Sequence, residues 1–240
     1  MKLEINELMI EVTRRCNMRC SHCLRGEARK EDLNTGLFDE FLNAVASIGC
    51  LVFGGGEPSL VPNVMIDILK LVKAKSIPVY RFYIVTNGKK VSKSFINAIM
   101  QWYEYVDEDD YYDGMPSMLA LSQDKFHEQI PEKNKKKLRM FSFFSEDEHK
   151  TDFDRIPVQN LGRARSLTNQ KKRDPRCSLL DIHAERYDNK VNISDVISFT
   201  VDGYIVPDCD YEYEEVEEIA IANIKERSWF DTLTTALLFE

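Results

Sequence analysis

No stretch of this 240-residue chain approaches the ~18 apolar residues that a membrane span requires. The opening segment MKLEINELMIEVT also lacks the long apolar core and small-residue cleavage site of a secretory signal. Basic residues are in deficit, 32 Lys and Arg against 40 Asp and Glu, and the resulting charge of −8 repels phosphate backbones. Nucleic acid and membrane are therefore not expected as partners, and a soluble, cytoplasmic protein is. No solenoid-type repeat occurs. Cysteine is too sparse for a disulfide framework, but its distribution is uneven: of the six at 16, 20, 23, 50, 177 and 209, half crowd into eight residues, a pattern that suits metal binding. With 43% apolar residues there is material for a sizeable core, which excludes a disordered chain.

Short apolar runs at 8–13, 51–54, 80–86, 118–122 and 138–144 are rich in β-branched and aromatic residues, and 156–160 is a sixth candidate strand. Amphipathic stretches at 37–48, 62–75 and 92–103 separate the earlier runs. In the second of these, Val64, Ile68, Leu69 and Val72 form one helical stripe behind Pro62. Strands alternating with helices predict an α/β fold, a partial (β/α)6 TIM-like barrel, with its chemistry at the C-terminal ends of the strands. The character changes after residue 165, with basic QKKR at 170–173 and Asp174-Pro175. Two strand-like runs in 197–209 then flank Asp202-Gly203, a hairpin signal. A terminal helix is expected over 228–239, capped by Ser228, with Asp231 in its first turn and Leu233, Ala236 and Leu237 on its apolar side. The expected division is a barrel over 1–165 and a small extension, hairpin plus helix, over 166–240.

Cys16, Cys20 and Cys23 follow directly on the first strand. Three thiolates leave one iron of an iron–sulfur cluster without a protein ligand and open to a bound molecule. Zinc needs a fourth ligand, and His22 beside Cys23 is poorly placed to supply it. Spacings of four and three also fit one buried helical stripe of small side chains. Arg14, Arg15, Arg19 and Arg25 crowd the same stretch, where they are expected to favour thiolates.

Further along, Phe53-Gly-Gly-Gly-Glu57-Pro58 ends the second strand, with glycines that allow close backbone approach and a carboxylate able to accept from an ammonium. Thr86-Asn87-Gly88 ends the third, and Ser122 with Asp124 the fourth; turn and cap roles serve these side chains equally well.

The spacing Cys-x-x-x-Cys-x-x-Cys, with aromatic His22 before the last cysteine and the later motifs in order, resembles the radical S-adenosylmethionine superfamily. That resemblance implies a 4Fe-4S cluster on Cys16, Cys20 and Cys23, whose free iron binds the amino and carboxylate groups of S-adenosylmethionine. It places Gly55, Gly56 and Glu57 on the methionine amino group, and Asn87, Ser122 and Asp124 on the ribose or carboxylate, with His127 in a matching position. It further implies one-electron cleavage to a 5′-deoxyadenosyl radical, hydrogen abstraction from a substrate, and an external flavodoxin- or ferredoxin-type electron donor.

Asn160-Leu-Gly162-Arg-Ala164, VDGYIVPDC and IANIKERSW resemble members with a C-terminal SPASM or twitch extension, which favours a peptide substrate, with a small molecule as the alternative. Only Cys177 and Cys209 remain of that extension's cysteine set, so an auxiliary four-cysteine cluster is not expected; a packing role is read for both, with a redox or hydrogen-atom-donating thiol or a partial metal ligand as the alternatives. The first strand starts too early for a leading peptide-recognition domain, so recognition is expected from the extension or from a partner. A pure electron carrier and a zinc-stabilised binding module are the readings from other classes, and both leave Glu57 without a role. No substrate-side acid or base is identified.

Overall fold

The computed structural model describes residues 1–106, 117–149, 158–167, 170–171 and 182–238. Strands β1 (Lys2–Thr13), β2 (Val45–Gly55), β3 (Val79–Thr86), β4 (Met118–Ser122) and β5 (Phe144–His149) lie side by side in chain order, every neighbouring pair parallel. Helices α1 (Thr35–Leu42), α2 (Pro62–Ala74), α3 (Lys93–Tyr103) and α4 (Glu132–Leu138) fall between successive strands, giving the α/β, partial-barrel arrangement. Leu8, Ile10, Leu51, Phe53, Phe82 and Ile84 join Phe38, Met65, Ile68, Phe95 and Trp102 in the core. Trp102 stacks edge-on against Phe53 at 5.1 Å and donates its indole N–H to the Met65 carbonyl at 3.0 Å, so its one polar atom is satisfied within that core. On the opposite sheet face Glu7, Met9 and Glu11 of β1 stand level with Cys50, Val52 and Gly54 of β2.

The connection at 37–48 is shorter than its periodicity predicts. Helix α1 stops at Leu42 with Asn43 as its cap, and Val45 and Ile48 belong to β2, where β-branched side chains suit a pleated strand. The run 138–144 also differs. Leu138 ends α4, and Leu138 and Phe141 are buried while Met140 is 81% exposed, a spacing of three rather than two, so strand geometry begins only at Phe144. Within 156–160, β6 (Val158–Gln159) is a strand, but its partner is β7 (Gln170–Lys171) in a separate two-stranded sheet.

Strand β8 (Ala184–Tyr187) precedes β9 (Lys190–Phe199), which turns through Asp202-Gly203 into β10 (Tyr204–Pro207), the expected hairpin. Beyond that expectation, β9 pairs parallel with β1 from Lys2↔Lys190 to Ile10↔Phe199, so this strand extends the main sheet. After the short helix α5 (Val216–Ile219) and β11 (Ala222–Asn223), the terminal helix α6 (Trp229–Leu238) buries Leu233 and Leu237, with Ala236 packed alongside. Tyr211 and Val216 fold over Met9 on the sheet's other face. No helix among the described residues is long and apolar enough to cross a membrane. Cys177, Asp174-Pro175 and the greater part of the acidic run 104–113 lie outside the described residues.

Candidate active site

The cysteine segment leaves the C-terminal end of β1 as a loop, not a helix, which removes the buried-stripe reading. Backbone bonds fasten its base to the end of β2: Gly56 N–H donates to the Thr13 carbonyl at 2.6 Å and Glu57 N–H to the Arg15 carbonyl at 2.8 Å. Gly56 lies so close that a Cβ there would fall on the Arg15 carbonyl, which accounts for a glycine before the acidic residue. Cys16, Cys20 and Cys23 are free and half-buried. Cys23 N–H reaches the Cys20 carbonyl at 3.2 Å, and the Cys16 sulfur accepts from Met18 N–H at 3.4 Å and from Asn87 Nδ2 at 3.8 Å. Burial pushes the Cys16 thiol up; Met18 N–H opposes this, while Glu57, Cys23 and Cys20 add to it. These groups therefore share one electrostatic environment.

Glu57 is only 2% exposed and joins three strand ends. Its Oε1 accepts from Ser59 N–H at 3.1 Å, capping a turn of 3-10 helix over Pro58–Leu60, and from Thr86 Oγ1 at 2.7 Å. Its Oε2 accepts from Asn87 N–H at 2.8 Å. Burial raises its pKa, opposed by these hydrogen bonds. Asn87 completes the junction by donating to Asn17 Oδ1 at 2.8 Å, and Lys89 holds the Asn17 carbonyl at 2.8 Å. Gly56, Glu57 and Asn87 thus meet the cysteine loop directly, while Gly55 lies against Thr13 at the end of β1.

Ser122 and Asp124 reach the loop by another route. Asp124 Oδ2 lies 3.2 Å from His22 Nε2, and its Oδ1 lies 2.9 Å from His127 Nδ1 and accepts Phe126 N–H at 2.7 Å. Ser122 Oγ sits 3.0 Å from His127 Nε2. Burial works to raise the Asp124 pKa, but hydrogen bonds from His127 and Phe126 N–H hold it below the ordinary value. Burial likewise works against His127, yet bonds to Asp124 and Cys20 lift it to about 9. His22, Asp124 and His127 bring ligand atoms close enough for a metal ion, and the Asp124 carboxylate pairs with both rings.

The arginines of the cysteine stretch do not serve the thiols as expected, because carboxylates and an aromatic ring hold them. Arg15 pairs with Asp32 at 2.8 Å and Arg19 with Glu27 at 2.8 Å. Arg14 bonds Glu11 at 3.0 Å, Glu31 at 2.8 Å and Asp202 at 3.3 Å, tying the β9–β10 hairpin turn to the loop. Arg25 stacks 3.7 Å above the Tyr211 ring and donates to the Tyr211 carbonyl at 3.0 Å. The acidic stretch after Cys209 is accordingly no solvated face throughout, since Tyr211 and Tyr213 are buried in it. A signal for this network lay in Glu11, an acid within an apolar strand three residues before an arginine.

The donor set fits an iron–sulfur cluster. Three half-buried thiols lie on one loop, a buried carboxylate stands beside them, and a cleft of about 320 Å³ lined by Cys16, Asn17, Met18, Glu128 and Arg163 opens at their side. Cys50 lies away from the loop: it is buried level with Glu7 in mid-strand, and burial pushes its thiol up to about 12. Cys50→Ala is expected to cost about 1 kcal/mol of stability and to leave iron content unchanged, as read by urea unfolding and metal analysis. Cys209 packs beside Met9 and Val206, in keeping with a structural thiol.

The sequence model of the radical SAM superfamily matches residues 10–137, just over half of the chain. Among curated proteins, none matches the sequence. Among solved structures, native anSMEcpe with bound AdoMet and Cp18Cys peptide is 13% identical, with 98% of this chain and 84% of that one covered at a TM-score of 0.54, which shows a shared fold. Streptococcus suis SuiB bound to precursor peptide SuiA is 14% identical, with 95% of this chain and 64% of that one covered at a TM-score of 0.45. This chain therefore spans less than two thirds of the SuiB length.

Proposed function

The chain belongs to the radical S-adenosylmethionine superfamily, and from that premise we propose that it is an enzyme that generates a 5′-deoxyadenosyl radical to abstract hydrogen from a peptide. The observation that carries the reading is the meeting of Cys16 with Asn87, and of Asn87 with Glu57, at the ends of β1, β2 and β3, on the loop that also carries Cys20 and Cys23. We assign the cluster to the three cysteines, the methionine amino group to Gly55, Gly56 and Glu57, and the remaining cofactor contacts to Asn87, Ser122 and Asp124. When bound, the reduced cluster supplies the electron that splits S-adenosylmethionine into methionine and the 5′-deoxyadenosyl radical.

The residues of the chain orient and shield. Glu57 spends three acceptor sites on Ser59, Thr86 and Asn87, which fixes its carboxylate and leaves lone-pair capacity for an ammonium. The aromatic rings of His22 and Phe126, stacked at 4.8 Å, offer an apolar face beside the cysteine loop. An external flavodoxin- or ferredoxin-type protein is the proposed reductant. Residues 1–165 form the proposed radical unit and 166–240 a SPASM- or twitch-like remnant.

A peptide substrate is supported by likeness of fold to anSMEcpe, whose structure holds a peptide, together with the extension that covers the inner sheet face at Met9. The test is a mixed library of short peptides added to the reduced, reconstituted protein. Formation of 5′-deoxyadenosine well above the substrate-free rate is expected. A rise given by a mixture of small metabolites and not by peptides assigns the small-molecule reading instead.

A further inference from the structure

Gly162 and Arg163 lie far from the cysteines in sequence, yet they hold the cysteine loop directly. The Arg163 backbone N–H donates to the Cys23 carbonyl at 2.9 Å. Its side-chain Nε donates to the Cys20 carbonyl at 2.9 Å and Nη1 to the Gly26 carbonyl at 2.6 Å, with Glu27 a further 3.6 Å partner. One residue thus holds three carbonyls of one loop, two of them belonging to cysteines. Gly162 makes that approach possible. Its φ of +52° is a left-handed backbone, and a Cβ there would meet the Leu24 carbonyl at 2.5 Å and the Gly26 nitrogen at 2.6 Å as well as the Cys23 carbonyl.

We propose that Arg163 is a positioning residue for the metal centre: it fixes the Cys20 and Cys23 backbone so that both thiols converge with Cys16 before any metal arrives. Physically, the loop's own turn bonds to the Cys20 and Cys23 carbonyls are long, 3.2 and 3.4 Å, and the planar guanidinium with its own backbone N–H adds shorter bonds to these two and to the Gly26 carbonyl in a fixed geometry. A lysine at 163 presents a single ammonium on a flexible stem and cannot hold the Cys20 and Gly26 carbonyls in the same fork. Gly162→Ala is expected to push the loop off the segment. The inference rests on the assignment of the three cysteines as metal ligands.

The test uses the full-length apo-protein and cobalt(II), whose thiolate charge-transfer absorption reports converging cysteines without any catalytic turnover. Outer partners of metal ligands typically contribute about 10- to 100-fold in affinity. Arg163→Ala is expected to weaken cobalt(II) binding by that factor and to lower the charge-transfer intensity, with Arg163→Lys recovering part of the loss. Arg165→Ala, in the same segment but paired with Glu212, is the control and is expected to bind as the parent does. Urea midpoints of both alanine variants are compared, so that general unfolding is separated from loop positioning. Parent-like binding by Arg163→Ala, or an equal loss in Arg165→Ala, overturns the inference. Cys20→Ala tells the two layers apart: if it too binds cobalt(II) as the parent does, the cysteine assignment fails, and if it alone loses binding, only the role of Arg163 does.

Discussion

Cys20→Ala is expected to abolish the brown iron–sulfur absorbance and the reductive cleavage of S-adenosylmethionine together, leaving a folded, colourless protein. Cys20 sits on a half-buried loop outside both hydrophobic clusters, so its loss removes little packing. What it removes is one of three anionic sulfur ligands, and a cluster with only two protein ligands is not retained. Circular dichroism and urea unfolding close to the parent, combined with loss of iron by metal analysis, give the expected pattern. A variant that keeps its iron and its cleavage rate contradicts the ligand assignment.

Glu57→Ala carries the second large effect, and it acts on stability and binding at once. Its two oxygens accept from Ser59 N–H, Thr86 Oγ1 and Asn87 N–H in a buried position. An alanine leaves those donors without their partner, and a buried unsatisfied group costs about 1–3 kcal/mol. Some relaxation among the three is expected, so a total of about 3 kcal/mol is predicted by urea unfolding. Glu57→Gln keeps the shape but sets an amide N–H₂ against one of the donors, so its loss is smaller and nonzero. S-adenosylmethionine binding, measured by equilibrium dialysis of the reconstituted protein, is expected to fall about 30-fold in Glu57→Gln, since a charge-assisted bond to an ammonium is worth about 2 kcal/mol. Unchanged binding in Glu57→Gln places the ammonium elsewhere.

The parallel order of β1 to β4 was legible because their runs are short, apolar and separated by amphipathic stretches, and the motifs sat at run ends where such folds place chemistry. The boundaries near 45 and 138 were not, because a few apolar residues at the end of a helix read the same as the start of a strand until burial separates Met140 from Phe141. The pairing of β9 with β1 was also hidden. Strand order depends on which edge is vacant, and nothing in ISF at 197–199 names its neighbour. Within the site, the cysteines and Glu57 announced themselves by spacing, whereas Arg163 was visible only as part of a familiar segment. Its role comes from carbonyls on a loop that the chain reaches again only after five strands. Arg14 and Arg25 mislead for the converse reason: closeness in sequence to the thiols suggested partnership, but Glu11, Asp202 and Tyr211 engage them.

The most direct measurement is anaerobic reconstitution with iron and sulfide, followed by reduction with dithionite in the presence of S-adenosylmethionine and quantitation of iron and 5′-deoxyadenosine. About four irons per chain and formation of 5′-deoxyadenosine are predicted, because three cysteines leave one iron free for the cofactor. Full iron loading without 5′-deoxyadenosine, or a colourless protein that holds zinc and no iron, contradicts the account.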